Sequence, residues 1–575
     1  MKKITLLTLL LCLAIAISSF AQNKVKQIDA LISKYNEYRY FYGSALVADD
    51  NKVIFKKGYG LANVEWNIPN TPDTRFRLGS ITKQFTSMLI MQLVAEGKLK
   101  LDGKLTDYLP YYRKDTGDQI TIEMLLTHTS GIPSYTSRPD FFEKVSKRFY
   151  KPDDFVKEYC SGDLEFEPGE QFLYNNSGYF ILGAIIEKVT GQSYEEVLKS
   201  RILQPLGMKH SGYDWHQSII EKRASGYDKT TTEFKNSPWL DMSLPYAAGS
   251  LYSTVEDLFI WDQALRTEKL LSKTYMDEIF KGRVDARGGQ YAFGWGVNKK
   301  KIGEKEYEVI SHGGGINGFN TINYLIPEKG QIVILFSNAG GAPLNEMTDK
   351  IISILNGEKP LPPRKSLVQH LAQIISREGS EAAVRQFPDL KSDTTRFTLS
   401  EGEMNRLGYE YLGSDKITDA IAVFKLNMEA FPKSSNVYDS YAEVLLKSGD
   451  REGAIVNYKK SLELNPRSQS GIAALRNLGV AVAENKDAEV SAEILQQYAG
   501  KYQLAPNFLL TISSKERQLF AQATGQPQFE IFPESESTFY LKVVEAKIEF
   551  VREAEKVTGL ILFQNGREMP ASKIE

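Results

Sequence analysis

The spacing of apolar residues along this chain changes several times, and each change predicts a different element. Over Asn23 to Gly43, Ile28, Leu31, Ile32 and Tyr35 share one face of an amphipathic helix. Ser44 to Ala48 and Val53 to Lys57 then alternate around Asp49-Asp50-Asn51, the pattern of a hairpin. Ile81, Phe85, Met88, Leu89 and Leu93 return to helical spacing until Gly97 closes the helix. A Glu167-Pro168-Gly169 turn precedes a buried helix through Ile181, Leu182, Ile185, Ile186 and Val189. Ser253-Thr254-Val255-Glu256 reads as a capping box for a helix carrying Leu258, Trp261 and Leu265. Strand signals follow at Phe293 to Val297, Glu308 to His312, Asn320 to Ile326 and Gln331 to Phe336. Strands at both ends of this region predict an antiparallel sheet with helices packed on it.

Pro360, Pro362, Pro363 and Arg364 mark a linker, and the pattern beyond it is different. Leu367 to Ile375 and Glu381 to Phe387 are helical, and an internal repeat follows. Leu407 to Pro432 matches Tyr441 to Pro466 through Ala420/Ala454, Ile421/Ile455, Phe424/Tyr458 and Pro432/Pro466, each pair 34 apart. That is the tetratricopeptide interval, and Leu407-Gly408-Tyr409 opens the first copy in keeping with it. Two copies are few for a free-standing solenoid, so the preceding helices or another domain should cover an end. Such a pair serves equally well as a peptide-binding or partner-binding face and as a docked spacer. From Leu495 onward, Phe508 to Ile512, Leu519 to Ala523, Phe529 to Phe532, Phe539 to Val543, Ile548 to Val551 and Leu560 to Phe563 predict a small antiparallel barrel or sandwich.

Composition narrows the function without naming it. At 575 residues the chain exceeds one ordinary core and suggests about three domains. A formal net charge of −2, with 42% hydrophobic and 25% charged residues, gives no basic footprint for nucleic acid. Lys2 and Lys3, the apolar run Ile4 to Ile17 and Ser19-Phe20-Ala21 have the form of a cleaved signal peptide, residues 1–21, so a periplasmic or secreted protein is expected. The run is short for a bilayer span and no other stretch qualifies, so no stable membrane span is expected after cleavage. Cys12 leaves with the signal, and Cys160 then has no intrachain disulfide partner. Five histidines without His-x-x-x-His or Cys-x-x-Cys spacing argue against a metal site, and no cofactor is expected.

Three segments carry candidate chemistry. Ser80-x-x-Lys83 places a hydroxyl and an amine on one helix face, the geometry of a base-activated nucleophile, and Ser80 falls at a helix start where backbone N–H groups favour developing negative charge. Tyr174-Asn175-Asn176 lies in a loop before the buried helix; a nearby ammonium favours its phenolate and burial opposes it. His312 ends a strand and Gly313-Gly314-Gly315 follow, allowing a ligand to approach the backbone closely. His128, within Met124 to Pro133, is read as pinning a helix-to-loop junction rather than titrating in chemistry.

With the three motifs in this order, residues 24–360 resemble the serine beta-lactamase and penicillin-binding-protein family, and most resemble its class C-like branch of D-alanyl-D-alanine carboxypeptidases, D-amino-peptidases and esterases. Leu125 to Gly131, Gly178 to Gly183 and Ala247-Ala248-Gly249-Ser250 support the likeness. It implies an α/β fold, an antiparallel sheet flanked by helices plus an all-α part, followed here by a tetratricopeptide-like segment (361–486) and a small β-domain (490–575). The resemblance further implies that Ser80 attacks a carbonyl to form an acyl-enzyme while Lys83 and Tyr174 share the proton transfers. Asn176 would bind the substrate amide or order the lysine, and the N–H groups of Ser80 and Gly315 would form the oxyanion hole beside Gly314. His312 stands where many members have the lysine of Lys-Thr-Gly. A histidine is mostly neutral at pH 7 and is a poorer partner for a substrate carboxylate, so a peptidase or esterase is expected before a beta-lactam hydrolase. The expected partner is a small-molecule or peptide substrate. The alternative is a catalytically silent peptide-binding protein whose helical repeats recruit another protein.

Overall fold

The computed structural model describes residues 22–574 other than 287, 483–486, 506–507, 525, 527, 545, 554–555 and 565–566. The signal-peptide expectation for residues 1–21 lies outside the described residues. The chain separates into two compact units, one of residues up to Asp228 with Phe234–Pro362, the other of Lys229–Glu233 with Pro363–Glu575.

The first unit is built on an eight-stranded antiparallel sheet. Its strands are β1 (Gly43–Asp49), β2 (Lys52–Tyr59), β3 (Val284–Ala286), β4 (Gly289–Tyr291), β5 (Gly296–Ile302), β6 (Lys305–Ile316), β7 (Phe319–Ile326) and β8 (Gln331–Ser337). They lie side by side in the order β3-β4-β5-β6-β7-β8-β1-β2, so the first hairpin joins the sheet through β1 against β8. Asp50 and Asn51, both at positive φ, form the two-residue turn between β1 and β2 that the sequence predicts. Strands β8 and β1 are buried on both faces. Ala45, Val47, Val333 and Leu335 face one core with Ile28, Ile32, Tyr35, Met347 and Ile351. Leu46, Ala48, Ile332, Ile334 and Phe336 face another, larger core that holds Phe85, Leu89, Ile185 and Trp261. One face is therefore covered by helix α1 (22–37) and α5 (Leu344–Leu355). The other carries α2 (Thr82–Ala95), α3 (Asn176–Thr190) and α4 (Val255–Ala264).

Several boundaries differ from the sequence reading. Helix α1 stops at 37 because Arg39 takes a positive φ and the N–H groups of Tyr40 and Phe41 turn back to Tyr35 O. Phe293-Gly294-Trp295 is a bend rather than a strand, and Gly294, at φ +81°, lies against the backbone of Lys83. The cap of α4 is Thr254, whose hydroxyl accepts from the Asp257 N–H at 3.2 Å; Ser253 instead bonds Ser211, and the Asp257 carboxylate accepts from the His210 N–H and Ser211, so a single cap one residue later replaces the expected box. The glycine run does not end its strand. β6 continues through Ile316 because Gly313, Gly314 and Gly315 stay paired with Ile322, Thr321 and Asn320. Its pairing with β5 stops at Ser311, which leaves the other edge of residues 312–316 to the Ser80 turn.

In the second unit, helices Leu367–Glu378 and Ser380–Ser392 share a core with the first helix pair, α6 (Glu401–Gly413) and α7 (Ile417–Ala430). A second pair, α8 (Ser435–Ser448) and α9 (Arg451–Leu464), starts 34 residues after the first at both helices. The C-terminal part is a closed antiparallel barrel of eight strands, β9 to β16, between Gly500 and Lys573. Six were expected. Gly500–Ala505 and Arg567–Lys573 were not, yet their pairing is what closes the barrel, and Leu495 belongs to a short helix before it.

The close crossing of β6 and the segment before Ser80 tests how tightly these parts must fit. A methyl group at Gly314 would lie 1.9 Å from Leu78 O, whereas one at Gly162 meets nothing nearer than Pro133 Cγ at 3.6 Å. Gly314→Ala is therefore expected to cost about 1–3 kcal/mol of stability by overpacking, read as a lower denaturant midpoint, while Gly162→Ala leaves the midpoint nearly unchanged. Equal midpoints for the two variants would show that this crossing is slack.

Candidate active site

Gly79–Ile81 form a single 3-10 turn that runs directly into α2. Gly79 takes φ +55°, a conformation open to glycine, and a methyl group there would lie 2.9 Å from the Gly315 nitrogen. Glycines on both sides thus let the Ser80 turn press against β6, and the Thr321 hydroxyl fixes the crossing by donating to Leu78 O at 2.7 Å. The residue before Ser80 therefore lies directly against the Gly315 backbone. Gly314 has a different place: its α-carbon faces Leu78 O and Thr321, so its contribution is the absence of a side chain.

One turn into the helix system, Lys83 is fully buried. Its Nζ donates to Ser80 Oγ at 3.1 Å, to Asn176 Oδ1 at 2.8 Å and to Ala248 O at 3.0 Å. No carboxylate is among these partners, and burial pushes the amine well below the ordinary lysine range. Asn176 is oriented from its other end, its Nδ2 donating to Thr136 Oγ1 at 3.0 Å. The Tyr174 ring lies 4.8 Å from Lys83 Nζ. Its hydroxyl is buried without a hydrogen-bond partner in bonding geometry, although Ser80 is near enough to favour the phenolate slightly. Burial dominates and raises the phenol above the ordinary tyrosine range. The amine and the phenol are both driven toward their neutral forms.

The two adjacent asparagines divide the work. Asn175 is the N-cap of α3: its Oδ1 accepts from the Gly178 N–H at 2.9 Å, and its Nδ2 donates to Ile132 O. His128 holds the same loop. Its Nδ1 accepts from the Asn175 N–H at 3.1 Å and its carbonyl from the Leu173 N–H at 2.9 Å, with its ring 4.4 Å from that of Tyr174. The reading of His128 as a structural pin fits these contacts, and the element it pins is the one that carries Tyr174.

His312 lies beside this group, its ring 6.1 Å from that of Tyr174. Tyr291, which the sequence reading did not single out, meets His312 Nε2 at 3.0 Å. Burial of the ring and the nearby Lys83 push the imidazole down, to about 4. Ala248 was named only as part of a supporting phrase; its function here is a backbone carbonyl, for which a sequence has no residue-type signal. Among the described residues no cluster of His, Cys, Asp or Glu has the spacing of a metal site.

Known proteins resemble both parts of the chain. The beta-lactamase family profile matches residues 28–355, and a domain of unknown function (DUF3471) matches residues 484–572. PbpX of Bacillus subtilis (strain 168) is 32% identical over 346 residues, covering 59% of this chain and 82% of that protein. Among solved structures, the D-amino acid amidase from Ochrobactrum anthropi SV3, with L-phenylalanine amide bound, is 26% identical with a TM-score of 0.50. The match covers 59% of this chain and 99% of the amidase. The octameric penicillin-binding protein homologue from Pyrococcus abyssi covers 95% of this chain and 99% of its own at a TM-score of 0.51 and 21% identity, a likeness of fold.

The division between Asn175 and Asn176 can be measured. Asn175→Ala removes the α3 cap and leaves Ile132 O without its partner, so it is expected to lower stability by about 1–2 kcal/mol in chemical denaturation. An unchanged midpoint would mean that the cap is dispensable.

Proposed function

Because the chain belongs to the beta-lactamase family, we propose that it is an acyl hydrolase in which Ser80 is the nucleophile, Lys83 its base and Tyr174 the proton donor to the leaving group. The observation that carries this reading is the three-acceptor shell around Lys83. Asn176 Oδ1 and Ala248 O can only accept, so a neutral amine gives them its two N–H bonds. Its lone pair then falls to Ser80, whose hydroxyl becomes the donor.

The steps balance on these residues. As Ser80 Oγ bonds the acyl carbon, its proton passes to Lys83, and the N–H groups of Ser80 and Gly315 receive the oxyanion. Tyr174 gives its proton to the departing amine or alkoxide and is reprotonated from Lys83. Water then attacks the ester and gives a proton to the same neutral amine; the Ser80–acyl bond breaks and the proton returns to Ser80. The site and the amidase likeness support amide or ester substrates, such as a D-amino acid amide or a D-alanyl peptide. This assigns the chain to the class C-like branch with histidine at position 312.

The reading extends to export, supported by Lys2, Lys3 and the apolar run Ile4 to Ile17, with the periplasm or the exterior as destination. It also takes the two helix pairs at a 34-residue offset as tetratricopeptide-like, a face for a peptide or partner. N-terminal sequencing of the protein from cells should begin after Ala21; an intact Met1 would end the export reading.

A fluorophosphonate is expected to label one residue, Ser80, and Ser80→Ala to abolish the labelling. Folded wild-type protein that stays unlabelled would favour the silent binding protein instead. Activity should also report the two neutral groups. Lys83 acts only when unprotonated and burial lowers its pKa, so kcat/KM should rise with pH through a midpoint below the ordinary 10.5. Tyr174 acts only when protonated and burial raises its pKa, so alkaline loss should lie above the ordinary 10.0. A profile that falls with pH below 10 would reverse the two assignments.

A further inference from the structure

The His312 ring presents two nitrogens, and the structure accounts for both. Nδ1 lies 2.6 Å from Gly313 O, which can only accept, so Nδ1 carries the proton. Nε2 is then the lone-pair nitrogen, and the hydroxyl of Tyr291, 3.0 Å away, donates to it. The Tyr291 ring is itself wedged between those of His128 (4.8 Å), Phe172 (5.5 Å) and Tyr174 (6.3 Å), which fixes where its hydroxyl oxygen sits, with the Tyr179 hydroxyl as its other polar neighbour. Protonating Nε2 would reverse this bond, forcing the Tyr291 hydroxyl from donor to acceptor, and would add a cation beside Lys83. The groups facing the imidazole are Lys83, Tyr174 and Tyr291, with His128 behind them, and none is a carboxylate that would hold a charged ring.

We infer that Tyr291 is a specificity-determining residue, which locks His312 as a neutral, fully bonded imidazole and so denies a substrate carboxylate the cation that this position could otherwise supply. This rests on the acyl-hydrolase reading and narrows it: the preferred substrates are amides or esters whose leaving end carries no carboxylate. Tyr291 touches neither the nucleophile nor its base and acts through His312.

Two measurements on the full chain test this separately. Long-range 1H–15N spectra of histidine-labelled protein, assigned with His312→Gln, should show His312 as the Nδ1–H tautomer at pH 7. In Tyr291→Phe the tautomers should mix, or the ring should titrate at a higher pH. A mixed or charged His312 in the wild type, or no change in Tyr291→Phe, would overturn the lock, whether or not the protein is an enzyme. The second measurement compares phenyl and 3-carboxyphenyl esters of one acyl group, with fluorophosphonate labelling of Ser80 confirming each variant's competence. Wild type should favour the uncharged ester by about tenfold in kcat/KM, the scale of one hydrogen-bonded charge pair. His312→Lys should reverse the preference, mainly through KM, and Tyr291→Phe should narrow it. Equal use of both esters by the wild type would overturn the specificity role. Absence of Ser80 labelling would instead sink the hydrolase reading and the specificity role that depends on it, while leaving the tautomer result standing.

Discussion

A primary amine sealed from water is costly unless its hydrogens and its lone pair all find partners, and Lys83 meets that demand with groups from three distant segments. Ser80 comes from the turn before α2, Asn176 from the first position of α3, and Ala248 O from the turn after Pro245. The lysine therefore ties together the pieces that a hydrolytic site needs, and its uncompensated burial is what sets its protonation. A carboxylate in the shell would have secured the same three segments but held the amine charged. Neutral acceptors give the architecture and leave the amine basic.

The second constraint is steric. The Ser80 turn reaches β6 because Gly79 lies against Gly315 and Gly314 against Leu78 O with no side chain on either glycine, and Thr321 Oγ1 fastens Leu78 O there. Helix and sheet backbones rarely approach this closely, since each Cβ normally holds them apart. What the glycines provide is less the freedom of a loop than the thinness of a strand. That is why β6 remains paired to β7 through Ile316 instead of breaking after His312.

Much of this was legible in the sequence because it depends on residue type and spacing. An i, i+3 serine and lysine, a tyrosine and asparagine before a buried helix and a histidine before three glycines all come to one place. The periodicity of Ala45 to Ala48 and Ile332 to Phe336 located the central strands, and the 34-residue interval recurs in the helix pairs. What the sequence did not reveal depends on tertiary partners. Ala248 acts through its carbonyl, and Tyr291 is one of thirty tyrosines until the fold sets it against His312. Arg567–Lys573 carries few apolar residues, and Gly500–Ala505, although Tyr502 and Leu504 alternate in it, follows a short helix directly, so both are recognisable as strands through the barrel they close. The cap of α4 moved by one residue because Ser253 had a competing partner in Ser211, a choice invisible without the neighbouring chain.

The buried polar groups around Lys83 also explain one another's states. Each ring or amine can be assigned from partners that have no choice: Ala248 O and Gly313 O accept, and the Asn175 N–H donates. From these fixed ends, His128 must present a lone pair at Nδ1, and His312 must carry its proton at Nδ1 and receive Tyr291 at Nε2. The Tyr174 hydroxyl, by contrast, has no bond in the resting protein to fix it. An orphaned hydroxyl in a buried site is costly, and the cost is recovered when a substrate heteroatom arrives beside Ser80. Two buried groups of this cluster are left unpaired, the His128 Nε2 and the Tyr174 hydroxyl, and it is the Tyr174 hydroxyl that lies near Ser80.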